Sequence, residues 1–371
     1  MAVNSTTYSG KQFSVYIASE DAVGTFDSTT DWANNYRVDV EGITLPTFNP
    51  AQEFEMRTGS SRIAEFDQVF SSTKRVVTEF TLTGRLTLNM WTICMENVMA
   101  DKFDGGTGSD SVMTISNSYA PANFKHTDGS SAVTDFDKTV SVYFAAPTAA
   151  DSYKLAGCVC TSFSIDADMD SAAGRFNYSA TFQTGYQPAK GAQSVSSATA
   201  IGNDYKYLAT LDDKNIDIKN YDGSSDQDNI DPIFKTFNMT IESPTQFLGA
   251  QGSNGEPEVF ARAVPELSIT WGGSVKYDPE TDNLLEAHRD TGSSSYLTFF
   301  LSDVAVAGTT ETPTGVFFAA SSVEKFGIWF GKSKLISAEV SSDDVAMVNF
   351  EAKVLAPSSG NTAHFLAGDN A

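Results

Sequence analysis

Short runs in which apolar and polar side chains alternate, each closed by a cluster of Gly, Asp, Asn or Ser, occupy most of this chain. Period-two alternation marks a strand with one buried and one wet face. A chain made of many such runs is expected to fold as antiparallel β. The clearest runs are 76–88 (VVTEFTLTGRLTL), 159–166 (VCTSFSID), 174–184 (GRFNYSATFQT), 264–271 (VPELSITW) and 345–355 (VAMVNFEAKVL). In the first, Val76, Thr78, Phe80 and Leu82 point one way, and Val77, Glu79, Thr81 and Thr83 the other. Only two stretches read as helix. In 89–101, Met90, Cys94, Asn97 and Val98 share a stripe and Asn89 is placed to cap the N-terminus. In 279–290, Pro279 suits a first turn, acids come early, and His288 and Arg289 come late, as the helix dipole favours.

The order of these segments repeats. The first half reads strand (36–48), long loop (49–73), strand (74–88), helix (89–101). The second reads strand (233–243), long loop (244–262), strand (263–277), helix (279–290). The run Val77–Thr83 lies over Val264–Thr270, and Asn177–Ala180 resembles Asn349–Ala352. Between the halves, 188–204 is small, polar and featureless, as a connector would be. The expected organisation is a first β domain over 1–190, a linker over 191–204 and a second β domain over 205–371.

Little in the sequence points to catalysis. Three histidines, His126, His288 and His364, lack partners at metal-ligand spacing. No phosphate loop, dinucleotide fingerprint or nucleophile elbow is present, and GGTG at 105–108 reads as a turn. Asp166, Asp168 and Asp170 begin like a calcium loop, but Ser171 and Asn177 stand where Gly and Glu are needed, so a hairpin end is expected. A second acidic cluster, Asp226, Asp228 and Asp231, reads as a solvated turn. Three cysteines, Cys94, Cys158 and Cys160, fit buried thiols better than a disulfide framework. No enzyme, cofactor or metal is expected. The opening MAVNSTTYSG has neither a basic nor an apolar leader region, and no apolar run is long enough to span a bilayer, so a soluble cytoplasmic product is expected.

Charge narrows the partners further. With 24 Lys and Arg against 47 Asp and Glu the net charge is −23, which disfavours gripping DNA or an anionic membrane. The two long loops are not low-complexity. The first carries Glu53, Phe54, Glu55, Met56, Arg57, Arg62, Glu65, Phe66, Asp67 and Phe70; the second carries Phe247, Leu248, Glu256, Glu258 and Phe260. Apolar anchors among charges of both signs suit a surface that meets a protein partner.

The segment 35–100 resembles the major tail tube protein of long, non-contractile-tailed bacteriophages. The resemblance rests on LPTFNP-x-QEFEMR, on the S-x-KRVV-x-EF-x-L-x-GRL strand and on the ENVM helix. LAGCVCTSFSIDADMDSAAGRFNYSATFQTG (155–185) is similar to that family's second hairpin, and the second half follows its pattern more loosely. The resemblance implies a mainly β fold with two tandem tail-tube-like β-sandwich domains. Each would have one short flanking helix and a long loop or hairpin, and the domains would join into a β-barrel ring on assembly. It implies homo-oligomeric rings stacked into a hollow tube in the virion tail, around a tape measure protein, with tail terminator and distal tail proteins at the ends. DNA would pass through without specific binding, along an acidic wall that repels phosphates. The usual ring is a hexamer of single domains; two domains per chain would give a trimer with pseudo-sixfold symmetry, slightly favoured here over a hexamer. Loops 49–73 and 244–262 are then the natural ring-to-ring contacts. The competing readings are a different phage tail, baseplate or decoration protein, or a carbohydrate-binding adhesin module built on coplanar aromatics and calcium.

Overall fold

The computed structural model describes residues 12–20, 24, 26, 37–38, 40–45, 51–54, 69–72, 77–101, 103–105, 110–117, 139–171, 174–186, 188–195, 210–221, 227–230, 232–245, 250–251, 257–258, 267–289, 296–302, 326–341, 345–358 and 360–368. Antiparallel strands dominate them. In the first half these are β1 (Ser14–Ser19), β2 (Arg37–Val38), β3 (Gly42–Ile43), β4 (Ala51–Phe54), β5 (Val69–Ser72), β6 (Thr78–Arg85), β7 (Asp104–Gly105), β8 (Asp110–Ser116), β9 (Val140–Ala145), β10 (Tyr153–Asp168), β11 (Phe176–Thr184) and β12 (Ala189–Lys190). The second half holds β13 (Asn215–Tyr221), β14 (Gln227–Ile230), β15 (Phe234–Glu242), β16 (Ala250–Gln251), β17 (Pro257–Glu258), β18 (Ser268–Lys276), β19 (Tyr296–Ser302), β20 (Phe326–Ser341), β21 (Met347–Val354) and β22 (Asn361–Gly368). Helix α1 (Leu88–Met99) follows β6, and α2 (Asp282–Arg289) follows β18.

The same pairing scheme is used twice. In the first half β3 pairs β6, β6 pairs β11, and β11 pairs the C-terminal part of β10. The N-terminal part of β10 turns into a second layer with β12, β9, β1 and β2. In the second half β15 pairs β18, β18 pairs β21, and β21 pairs the C-terminal part of β20. The N-terminal part of β20 joins β22, β19, β13 and β14. Even the irregularities repeat. The register of β10 shifts between Leu155 and Cys158 and again between Cys160 and Ser162. That of β20 shifts between Phe330 and Ser333 and again between Leu335 and Ser337, at the same spacing along the strand. A bulge bends its strand, so one long strand can serve two layers.

Each bend has a polar pin. Gly157, at φ 61, donates its N–H to Glu20 Oε1 at 2.8 Å. Glu20 also accepts from Gly24 N, Thr139 Oγ1 and Ser141 Oγ. Burial pushes the Glu20 carboxyl above its ordinary range, and the four donors oppose that shift. Buried Asn97 of α1 accepts from Cys160 N at 2.5 Å. In the second half Trp271 Nε1 donates to Ser333 Oγ at 2.9 Å.

Both expected helices form, with shifted ends. Thr87, not Asn89, caps α1, its hydroxyl accepting from Met90 N; Ala100 closes the helix in the left-handed region. Pro279 lies in a turn ahead of α2, where Asp278 Oδ1 accepts from Glu280 N and Thr281 N. Helix α1 is buried on nearly every side. Its Trp91 packs on Phe163 of the first half and on Phe326 and Phe365 of the second, and donates Nε1–H to Leu366 O at 3.1 Å. One contiguous apolar core therefore runs through both halves. Cys94, Cys158 and Cys160 are free and buried in it. Trp91, Trp271 and Trp329 are core residues as well. Most of the expected 191–204 linker and all of Trp32 lie outside the described residues. Among the described residues, no helix is long and apolar enough to cross a membrane, and no cluster of metal-ligating side chains occurs.

Two strap-like contacts bind the halves. The C-terminal part of β10 pairs β15, and β8 pairs β22. Within the second, His364 is 3% exposed, beside the Trp329 ring. The Asn361 amide nitrogen can only donate, so Nε2 accepts from it at 3.1 Å and Nδ1–H donates to Thr114 Oγ1 at 2.9 Å.

Because Trp91 ties both halves, Trp91→Ala should cost about 3–5 kcal/mol. Wild-type chemical denaturation should show a single transition in both tryptophan fluorescence and far-UV circular dichroism. Burial lowers the His364 pKa from 6.5 to about 4. The folded chain thus binds that proton less readily than the unfolded one. The stabilisation carried by neutral His364 is complete above pH 6.5 and lost as pH falls through about 4. His364→Asn should flatten this part of the urea-midpoint profile.

Candidate assembly interface

Through the β10–β15 pairing the two layers nearest each other fuse into one open sheet, in the order β3, β6, β11, β10, β15, β18, β21, β20. It ends in two edges. One is β3 with the following Thr44 and Leu45, whose only described partner is β6, Thr44 donating its N–H to Thr81 O. The other is the C-terminal part of β20, whose only described partner is β21.

The seam inside the chain shows what such edges look like when covered. At β10–β15, Phe163 stands opposite Ile241, Ile165 opposite Met239 and Ala167 opposite Phe237, and all six are at most 1% exposed. The bulges make Ile165 equivalent to Val340 of β20, and the β6 and β18 pairings make Met239 equivalent to Leu45. Val340 is 46% exposed, Ile336 at the bulge is 50% exposed, and Ile43 and Leu45 are only partly buried. An apolar strand edge is a template for another strand.

The sheet's face away from the core is wet and mostly uncharged. Thr83, Ser179, Ser164, Thr240 and Thr270 stand side by side across five neighbouring strands, a hydroxyl row that continues into Lys353 and Lys334. Beside it, Thr81 and Thr181 share a hydrogen bond of 3.1 Å. The described acids of this face are Glu41, Glu79, Asp166, Asp168, Glu242, Glu339 and Glu351; the cations are Arg85, in an ion pair with Glu41 at 3.3 Å, Lys276, Lys334 and Lys353. The described acids of this face outnumber its described cations. Asp168 and Asp170 close a hairpin end as expected, with Asp170 in an ion pair with Lys235 at 2.9 Å.

The two long loops both leave from one rim of the sheet, the end where β3 and β15 finish and β6 and β18 start. Each contains a two-stranded hairpin. In the first, Glu53 stands opposite Phe70 and Phe54 opposite Val69; in the second, Glu258 stands opposite Ala250. Glu55, Met56, Arg57, Arg62, Glu65, Phe66, Asp67, Phe247, Leu248, Glu256 and Phe260 lie outside the described residues. The edge residues Ile43, Leu45, Ile336 and Val340 were not singled out in the sequence. The signal for β20 was the run SKLISAEVS (333–341), where adjacent Leu335 and Ile336 break the alternation and mark the bulge.

A scan against protein-family models matches none of them, and a search of the curated proteins finds no match. The edges and the wet face thus carry the functional argument by themselves.

If the β20 edge is open in the single chain, a charge there is cheap. Val340→Lys should change the unfolding free energy by less than about 0.5 kcal/mol. The equivalent Ile165→Lys, inside the covered seam, should cost more than about 4 kcal/mol. Urea denaturation of the two variants checks the contrast.

Proposed function

We propose that this chain is the structural subunit of a bacteriophage tail tube, two tandem tail-tube-like β-sandwich repeats that self-assemble into stacked hollow rings. The observation that carries the reading is the doubled pairing scheme with its two complementary open edges. A contact between different edges of identical chains is head-to-tail, and a head-to-tail contact that closes makes a ring. Three chains supply six repeats, so the ring is a trimer with pseudo-sixfold symmetry.

The wet sheet face lines the bore in this reading. Its hydroxyl rows offer a passing polyanion hydrogen bonds no better than those of water, and its acids outnumber its cations, so a negatively charged wall repels phosphate and lets DNA slide. DNA and a tape measure protein occupy the bore in turn. The hairpins β4–β5 and β16–β17, both at one rim, reach the next ring. Tail terminator and distal tail proteins cover the two ends of the tube, in the virion tail.

Electron microscopy of the concentrated, purified chain tests this. Hollow rings or tubes with three-fold end-on averages are expected. Chains that remain single at every concentration, even when seeded with tube fragments, would sink the reading.

A further inference from the structure

We infer that Gly24, Thr139, Ser141 and Gly157 form a carboxylate-binding site that Glu20 fills from within the chain, and that the bend of β10 needs the anion held there. The ligand class of the site is a small carboxylate, which can take the place of the Glu20 side chain once that side chain is removed. The inference is independent of what the chain assembles into.

Four donors converge on one group. Glu20 follows β1 and is 1% exposed, and Thr139 and Ser141 are fully buried. Each carboxylate oxygen accepts twice: Oε1 from Ser141 Oγ at 2.6 Å and Gly157 N at 2.8 Å, Oε2 from Thr139 Oγ1 at 2.5 Å and Gly24 N at 2.7 Å. Two of these donors are backbone N–H groups, which never accept. A neutral acid or amide would bring a hydrogen of its own into this ring of donors, whereas an ionised carboxylate only accepts. Burial alone favours the neutral acid, and the four hydrogen bonds oppose it. Cys158 is a titratable neighbour; burial, and then the Glu20 charge, push its thiol up. The walls are close as well. Gly24 and Gly157 have φ 73 and 61, and a Cβ added to them would sit 2.2 Å and 2.4 Å from atoms of the Tyr186 ring, which therefore lies across both glycines.

The second repeat supplies an internal control. Pairing makes Leu155, Gly157 and Cys158 at the first bulge of β10 equivalent to Phe330, Lys332 and Ser333 of β20. Ser141 then corresponds to Thr298 and Thr139 to Tyr296. Glu20, whose N–H donates to Thr139 O, corresponds to Tyr221, which stands opposite Tyr296. At that place Tyr221 stacks on Tyr296 with centroids 4.6 Å apart, and Lys332 Nζ lies 4.3 Å from the Tyr296 centroid. The first repeat sets an anion among donors where the second sets aromatic rings beside a cation. The anion is thus a requirement of the first site and not of such bends in general.

The test is chemical rescue of the full chain, read as the urea midpoint at neutral pH. Glu20→Ala leaves out the heavy atoms of one acetate ion. The variant should have a lower midpoint than wild type, and sodium acetate should restore at least half of the loss along a saturating curve, as binding to the folded state alone requires. Sodium chloride at the same ionic strength, and neutral acetamide, should each restore less than a quarter of what acetate restores. Wild type and Tyr221→Ala in the same acetate report the general salt effect, and neither should rise by more than a quarter as much. Glu20→Gln, of equal size but neutral, should lose at least half as much as Glu20→Ala. If Glu20→Ala is unfolded in buffer, the same titration reads the return of its far-UV circular dichroism, and no return in up to about 1 M acetate overturns the site. A folded Glu20→Ala that acetate does not rescue, equal rescue by acetamide, an equal gain in Tyr221→Ala, or a Glu20→Gln midpoint equal to wild type would each overturn it too.

Discussion

Everything in this molecule hangs on the antiparallel pairing of β10 with β15. Seven consecutive residue pairs, from Ser162–Glu242 to Asp168–Thr236, weld the sheets of two repeats into one surface. Apolar side chains beneath that pairing merge two small cores into a single core, and Trp91 reaches across beside it. Without the seam each half would carry one more raw edge and a half-open core. With it, the main sheet is continuous among the described residues from β3 to β20. The fold thus covers two strand edges internally by pairing them with each other.

The sequence made the strands legible because a pleat repeats every two residues and the apolar set had to stay on one side. It did not make register legible, because a shift by an even number of residues keeps every side chain on its face. Val77–Thr83 lies over Val264–Thr270 by eye, but hydrogen bonding makes Phe80 equivalent to Trp271, four residues further on than that alignment gives. The match of Asn177–Ala180 to Asn349–Ala352 is off by two for the same reason, since Phe182 corresponds to Ala352. Helix ends were blurred by a related ambiguity. Thr87 and Asn89 are both good capping types, and only the accepted bond from Met90 N decides between them.

The open edges were harder to read than the core. Val340 and Ile165 occupy equivalent places and carry similar β-branched side chains, so composition alone cannot tell a covered strand from an uncovered one. What separates them is a partner strand far along the chain in one case and absent from the described residues in the other. The placement of charge was not legible either. A net −23 is known from the sequence, but only the pairing shows that Ser, Thr and Asn make up much of the described wet face. Net charge reports the sum over a surface and says nothing of where on it the carboxylates sit.

Duplication also changes the arithmetic of association. Bringing free chains together costs translational and rotational entropy at every contact, whereas a tethered second repeat meets its partner at an effective concentration set by the connecting chain. In an array built from this seam, every second joint closes during folding, at a rate and strength indifferent to how much protein the cell has made. Only the alternate joints answer to concentration. Wherever such a two-repeat chain associates with itself, it does so with half the bimolecular steps of a one-repeat chain, and each half is free to drift in sequence from the other.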